Sequence, residues 1–338
     1  MDYVSGEILT KSGFNKSYFG FENGRIIETV RGTPPKKPLC NGFIVPRLIN
    51  AHTHIGDSFI RKKNIDLPRN IEELVAPPHG LKHKLLKEVS EEEIIAEMKI
   101  SINEMIETGT SCFCDFRESG IKGVKQLKTA LEHTNISSLI FSRPEGLNYN
   151  AGEVEQLLDN SQGIGISSTS DWEYSELEKV AKHAKKRKKI FALHASERIR
   201  ENIDCILDLH PDFLVHMTMA TESDFTIVKE NKIPVVVCPR SNAFFGLKPD
   251  IKLMESIGID LMIGTDNAML HTPNILDEIT YLKTQSKGRS TEELLRMITY
   301  APRKALNLDD CILGPDSPAD FVVLDKKSLR PLYISVNK

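Results

Sequence analysis

Short apolar runs recur along the chain, separated by longer segments with helical spacing. Eight such runs stand out: 43–45, 111–115, 138–141, 163–166, 190–193, 213–215, 234–238 and 261–264. Each is nearly continuous in Val, Ile, Leu, Phe, Cys or Met. Strands buried on both faces of a parallel sheet have this composition. Between them lie amphipathic stretches. Ser90 and Glu93 form a capping-box pattern that opens a helix, and Ile94, Ile95, Met98, Ile102, Met105 and Ile106 repeat at helical spacing until Gly109 stops it. A second helix is expected over 176–189, ending in the basic cluster 185–189, where cations suit the helix dipole. Eight strand–helix units predict an α/β chain folded as a (β/α)8 TIM barrel.

The two ends fall outside that pattern. Residues 1–42 read as short strands with turns, and Glu22-Asn23-Gly24-Arg25 is a hairpin signal. Residues 319–325 read as one more strand. A small β appendage built from 1–42 and 316–338 is therefore expected beside a barrel over 43–315.

Composition narrows the function classes. The chain has 338 residues, 40% of them hydrophobic, enough for a sizeable core. A formal net charge of −3 argues against electrostatic binding of nucleic acid. No 18-residue apolar run exists, so no membrane span is expected, and the N-terminal residues lack a signal-peptide pattern. Six scattered cysteines fit reduced thiols and a cytoplasmic location.

Chemistry concentrates at the ends of the apolar runs. His52 and His54 stand one residue apart, and in an extended strand residues i and i+2 share a side. His194 and Glu197 follow the fifth run, His216 the sixth and Asp266 the eighth. Each has a bland alternative: a strand-end histidine can be a hydrogen-bonded rim residue, Asp266 a turn residue in Gly-Thr-Asp-Asn, and Glu197 a carboxylate capping a helix. Taken together, polar exceptions at successive strand ends mark the functional face of a barrel. Three histidines and an aspartate match the donor set of a catalytic divalent ion, zinc or else iron or manganese, whose remaining position would bring the pKa of a bound water towards about 7.

The chain at this point resembles the metal-dependent amidohydrolase superfamily, in its branch of cytosine, guanine and S-adenosylhomocysteine deaminases and triazine hydrolases. Pro-Arg-Leu-Ile-Asn-Ala-His-Thr-His at 46–54, His-Ala-Ser-Glu at 194–197, His216, Cys-Pro-Arg-Ser-Asn at 238–242 and Gly-Thr-Asp-Asn at 264–267 carry the resemblance. It implies that His52, His54, His194 and Asp266 bind one metal ion. It further implies that Glu197 moves protons, that His216 contacts the attacking oxygen, and that Asp266 also accepts a proton. Two-metal members carry a bridging group after the fourth strand. Residues 163–170 here contain no Lys, Glu or Asp, so a single ion is expected.

The implied reaction is hydrolytic release of ammonia from a small aminated N-heterocycle such as a purine, pterin or pyrimidine. The alternative at the same site is hydrolysis of a cyclic amide, imidazolone or chlorinated triazine-like compound, and a barrel that has lost activity is the non-enzymatic case. Where purine-nucleoside deaminases of the branch carry Pro-His after the fourth strand, this chain has Ser167-Ser168. His83, in the basic stretch 79–84, and Arg143 are expected to contact an anionic substrate group, and Ser241 and Asn242 to shape the substrate pocket. The expected partner is a small-molecule substrate, with neither nucleic acid nor membrane, and a homodimer is a family-level expectation.

Overall fold

The computed structural model describes residues 1–285 and 288–335. By internal contacts the chain divides into two compact units. One comprises 1–49, 105–111 and 274–338, the other 50–104 and 112–273.

In the first unit, β1 (Asp2–Thr10), β2 (Gly13–Glu22), β3 (Arg25–Val30) and β4 (Asn41–Pro46) belong to one six-stranded sheet. The expected hairpin is present: Asn23 and Gly24 adopt φ of 50° and 72°, and Glu22 pairs with Arg25. Two positive φ values in sequence are what a two-residue turn of primed type requires.

A second sheet takes its strands in chain order: β5 (Leu48–His54), β6 (Thr110–Arg117), β7 (Ser137–Ser142), β8 (Gly163–Ile166), β9 (Ile190–Ala195), β10 (Phe213–His216), β11 (Val235–Val237), β12 (Leu261–Ile263) and β13 (Asp266–Asn267). β12 pairs with β11 and β13 pairs with β5. Only Gly264 and Thr265 separate β12 from β13, so together they act as an interrupted eighth strand that closes the parallel barrel. Gly264 is needed there, because a Cβ on it would stand 2.6 Å from His52 Cβ. The remaining strands, β14 (Phe321–Leu324) and β15 (Pro331–Ile334), complete the six-stranded sheet in the order β15-β14-β4-β1-β2-β3.

Two boundaries differ from expectation. The run 43–45 is no barrel strand: it lies in β4, parallel to β1 and antiparallel to β14. The six-stranded sheet therefore reaches to Pro46 rather than stopping at residue 42. Pro46 and the buried Arg47 make the break. Arg47 donates Nε to Gly109 O (2.8 Å) and Nη2 to Thr110 O (2.9 Å) instead of continuing one strand. The C-terminal part also holds a second strand, β15, where one was expected.

Both expected helices form. The helix Glu91–Glu107 ends before Gly109, whose φ is 92°, and Ser90 Oγ accepts from Glu93 N (3.2 Å). The helix Tyr174–Lys186 puts its basic end into ion pairs: Lys185 with Asp212 (2.7 Å) and Arg187 with Asp159 (2.8 Å). Among the described residues no helix is long and apolar enough to cross a membrane.

Candidate metal centre and active site

The barrel strands deliver their terminal side chains to one point above an aromatic floor. Phe116, Phe141 and Phe213 are fully buried with ring centres 5.4–6.0 Å apart. Phe116 supports the rings of His52 (4.5 Å) and His194 (5.1 Å). Packed aromatics below fix the imidazoles and exclude water from that side.

His52 Nε2 lies 3.2 Å from His194 Nε2, and His54 Nε2 lies 3.3 Å from the same atom. Asp266 Oδ1 stands 3.3 Å from His52 Nε2 and 3.5 Å from His54 Nε2. A tetrahedral ion with ligand bonds of about 2.0–2.1 Å has edges of about 3.3–3.4 Å. The spacing is that of a first coordination sphere.

Proton placement gives the same answer. His194 Nδ1 meets the Ile166 carbonyl at 2.7 Å, and His54 Nδ1 lies 2.8 Å from Glu118 Oε1. Both ring protons belong on Nδ1, because an acceptor stands there. Two Nε2 lone pairs then face each other across 3.3 Å with no proton between them, an arrangement that a cation satisfies. Burial lowers the basicity of all three rings, His54 to about 3 with help from Lys82, and His194 well below the usual range. Neutral imidazoles are the ligand form.

His216 also reaches this cluster: its ligand atom and those of His52, His194 and Asp266 all lie within 4.8 Å of one another. Its hydrogen bonds set it apart. Asn242 Nδ2 approaches His216 Nδ1 (3.2 Å), and an amide NH2 can only donate. The remaining ring proton is then on Nε2, 3.4 Å from Glu197 Oε1. A protonated Nε2 has no free lone pair, so in this hydrogen-bonding arrangement His216 is set to donate, whereas the Nε2 atoms of His54 and His194 are free to accept.

Glu197 lies in an irregular segment after β9, and the next helix begins only at Ile203, so it caps no helix. Burial pushes its carboxyl up to about 7, Asp266 adding to the rise and His216 opposing it. Glu201 holds the segment in place: its Oε2 accepts from Ser196 N (2.6 Å), and its Oε1 from Ser168 Oγ (2.7 Å) and Ser170 N (2.9 Å). The loop that carries Ser167-Ser168 is thereby tied to the one that carries Glu197. Burial would raise Asp266, but the facing imidazoles of His52 and His216 outweigh it and hold Asp266 well below the usual carboxylate range.

The residues expected to touch substrate divide. Arg143 lines the cavity with Glu197, His216 and Asp266, is only 6% exposed and donates Nε to Gly165 O (3.3 Å). His83 does not line that cavity. It faces an adjoining one, with Nε2 3.1 Å from Val75 O, while its neighbour Lys82 points into the site from the helix Leu81–Glu88. Ser241 and Asn242 do not line the cavity either. Ser241 Oγ donates to Asp266 Oδ2 (2.5 Å), and Asn242 holds His216. They sit behind the reacting groups on the helix Pro239–Phe244 and orient them.

Sequence reasoning missed Glu118, Lys82, Asp57, Asp115 and Arg117, all at most 3% exposed. Glu118 follows directly on β6, so it belongs to the same strand-end series as the histidines. That was the available signal. Lys82 lies in the same basic stretch as His83, and the sequence does not show which of the two side chains turns inward.

Residues 43–338 match the model of the amidohydrolase family. An uncharacterised protein of Methanocaldococcus jannaschii is 35% identical over 327 residues, 90% of this chain and 81% of that protein. The 5-methylthioadenosine/S-adenosylhomocysteine deaminase of Caldicellulosiruptor saccharolyticus is 26% identical, with 98% of this chain and 86% of that one covered. Among solved structures, an adenosine deaminase from Xanthomonas campestris with bound zinc superposes with a TM-score of 0.75 at 19% identity, over 96% of this chain and 84% of that one. With the ligand cluster at the strand ends and a family match over most of its length, the chain belongs to the amidohydrolase family.

Proposed function

We propose that this amidohydrolase removes an amino group from a small aminated N-heterocycle by hydrolysis, releasing ammonia. The observation that carries the reading is the placement of Glu197. It is a buried carboxyl held up to about 7, 3.4 Å from His216 and lining the same cavity as His54, His194 and Asp266. A carboxyl that keeps its proton near neutral pH beside a ligand cluster is suited to protonating a ring nitrogen. The deaminase names of relatives support it.

His52, His54, His194 and Asp266 would hold the ion, and their nitrogen and oxygen donors suit zinc. We assign one ion, since β8 and residues 167–170 offer no bridging carboxylate or lysine. When bound, the ion supplies a nucleophilic water at neutral pH and stabilises developing charge. The chain's own residues do the rest. Glu197 protonates the ring nitrogen next to the C–NH2 carbon, which makes that carbon electrophilic. Asp266, oriented by Ser241, accepts a proton from the attacking water. His216, oriented by Asn242, donates Nε2–H to the oxygen as negative charge builds on it. The amine takes up a proton and leaves as ammonia, and the ring keeps the water oxygen as a carbonyl.

Arg143 narrows the substrate. It is buried in the cavity wall yet makes no ion pair among the described residues, and Ser167 Oγ beside the same cavity is buried without a partner. A carboxylate or phosphate on the substrate would satisfy both.

The test is E197Q with metal content measured alongside. Ammonia release should fall by roughly 10²–10⁴-fold with metal retained. Undiminished turnover would rule out Glu197 as the acid, and a ring-opened product without ammonia would show cyclic-amide hydrolysis instead.

A further inference from the structure

Beside the ligand cluster, reaching the cavity wall at Lys82 and Glu118, runs a chain of buried charges that the proposed reaction does not use. Glu118 is its centre. Its Oε1 lies 2.8 Å from His54 Nδ1 and 2.5 Å from Lys82 Nζ, and its Oε2 lies 2.8 Å from Arg117 Nη2. Lys82 Nζ continues to Asp57 Oδ2 (3.1 Å) and Arg117 Nη1 to Asp115 Oδ1 (3.4 Å). Both outer carboxylates are anchored beside ligands. Asp57 accepts from Asn267 Nδ2 (2.7 Å), next to Asp266, and Asp115 accepts from Thr53 Oγ1 (3.0 Å) and Ile55 N (2.8 Å), on either side of His54. Burial alone would raise the Glu118 carboxyl, but Lys82, His54 and Arg117 together hold it well below its usual range.

Arg143, buried nearby, adds a third cation acting on Glu118, so three carboxylates face three cations. A buried ion network of this kind costs desolvation and is a poor stabiliser by itself. Its placement against a ligand's outer nitrogen gives it another use.

We propose that Glu118 is a positioning residue of the metal centre: gripped by Lys82 and Arg117, it holds the His54 ring with Nε2 turned to the ion. The proposal rests on the metal-site reading but not on the identity of the reaction. It concerns binding of the ion, which can be measured without substrate.

The experiment titrates metal-free protein with Zn²⁺ or Co²⁺ against a competing chelator, for wild type, E118Q, H54Q and the double variant. Partners that orient a ligating histidine are typically worth 10–100-fold in metal affinity. E118Q should therefore bind the ion 10–100-fold more weakly than wild type, and should cost several-fold less in the H54Q background, since its action passes through His54. An equal cost in both backgrounds, as a merely structural or long-range charge effect gives, overturns the proposal, and so does an E118Q affinity within twofold of wild type. Should E118Q not fold, E118D keeps the charge for Lys82 and Arg117 but withdraws it from His54. It should lose affinity at least threefold, and an unchanged value overturns the proposal. Wild-type protein that takes up neither ion overturns the metal-site reading itself and the proposal with it, which distinguishes the two failures.

Discussion

Gly56 offers a sharp test of the buried charges, because it has no side chain and packs directly against Arg117. A Cβ at this position would stand 1.9 Å from Arg117 Nη2, 2.1 Å from Nη1 and 2.2 Å from Cζ. Those distances are far inside van der Waals contact, so in G56A the guanidinium must move. Arg117 is 1% exposed, and leaving its place separates it from Glu118 and Asp115, both buried. Stripping a partner from a buried ion pair costs about 3–5 kcal/mol. Alanine returns up to about 1 kcal/mol through the lower entropy of its unfolded chain. The net expectation is a loss of about 2–4 kcal/mol, a large share of the roughly 5–15 kcal/mol that holds most domains together. Urea unfolding of G56A, with G152A as the control, measures it. Gly152 lies in the helix Ala151–Asn160, is exposed, and a Cβ there meets nothing closer than Asn150 Oδ1 at 3.4 Å. G152A should be neutral or slightly stabilised. If G56A proves as stable as G152A, Arg117 is not gripped as described, and the charge chain around Glu118 loses its anchor.

Three further outcomes are expected. With the Glu197 carboxyl held up to about 7 and needed in its protonated form, turnover should fall as pH rises through about 7; a rate still rising at pH 8 would assign the proton to another group. R143M should raise KM by roughly 10–100-fold while changing kcat much less, and a variant with unaltered KM would remove the anionic group from the substrate. Asp224 is lowered to about 2, chiefly by its hydrogen bonds from Arg200, and also caps the helix Glu222–Glu230 through Thr221. A depressed carboxyl stabilises above its unfolded pKa and loses that contribution as pH falls through its folded value. D224N should therefore cost about 1–2 kcal/mol at pH 7, discounted because Arg200 is half exposed, and much less as pH falls to about 2. Urea midpoints across that range would expose a gap independent of pH.

Much of this was legible in the chain. Seven of the eight apolar runs became barrel strands, because a parallel strand buried on both faces has little choice of residue. That His52, His54, His194 and Asp266 converge was legible for the converse reason: polar groups at the ends of apolar runs collect at one face of the barrel. The run 43–45 misled because β4 is buried in the six-stranded sheet and has the same composition as a barrel strand. Ser241 and Asn242 were assigned to substrate because their position after β11 is visible in sequence while the direction of their side chains is not. Helix Pro239–Phe244 turns both inward, onto Asp266 and His216. His83 and Lys82 show the same limit on one helix. Adjacent residues differ by about 100° in direction, so a basic stretch sends one side chain into the site and its neighbour elsewhere.

The orientation of the reacting groups depends on backbone that composition does not announce. Ser196, His216, Met217 and Asp266 all have positive φ, at 46°, 76°, 57° and 61°, and none is glycine. Each such residue costs of order 1 kcal/mol and persists only where its surroundings over-determine it. Here the restraints are visible. Ser196 is bonded through its N–H to Glu201, His216 is held by Asn242, Met217 N donates to Ala195 O (3.0 Å), and Asp266 is held by Ser241. Left-handed backbone at a strand end breaks the alternation of side chains between the two faces and re-aims them. Strands that would otherwise send their last residues upward thus send His216 and Asp266 towards the same point as His52, His54 and His194. Glycine would relieve the strain but carries no side chain, so at His216 and Asp266 the chain keeps a functional group and fixes it from behind. The groups that do this fixing, Glu201, Ser241 and Asn242, shape the cluster as much as its own side chains do, although none of them belongs to it.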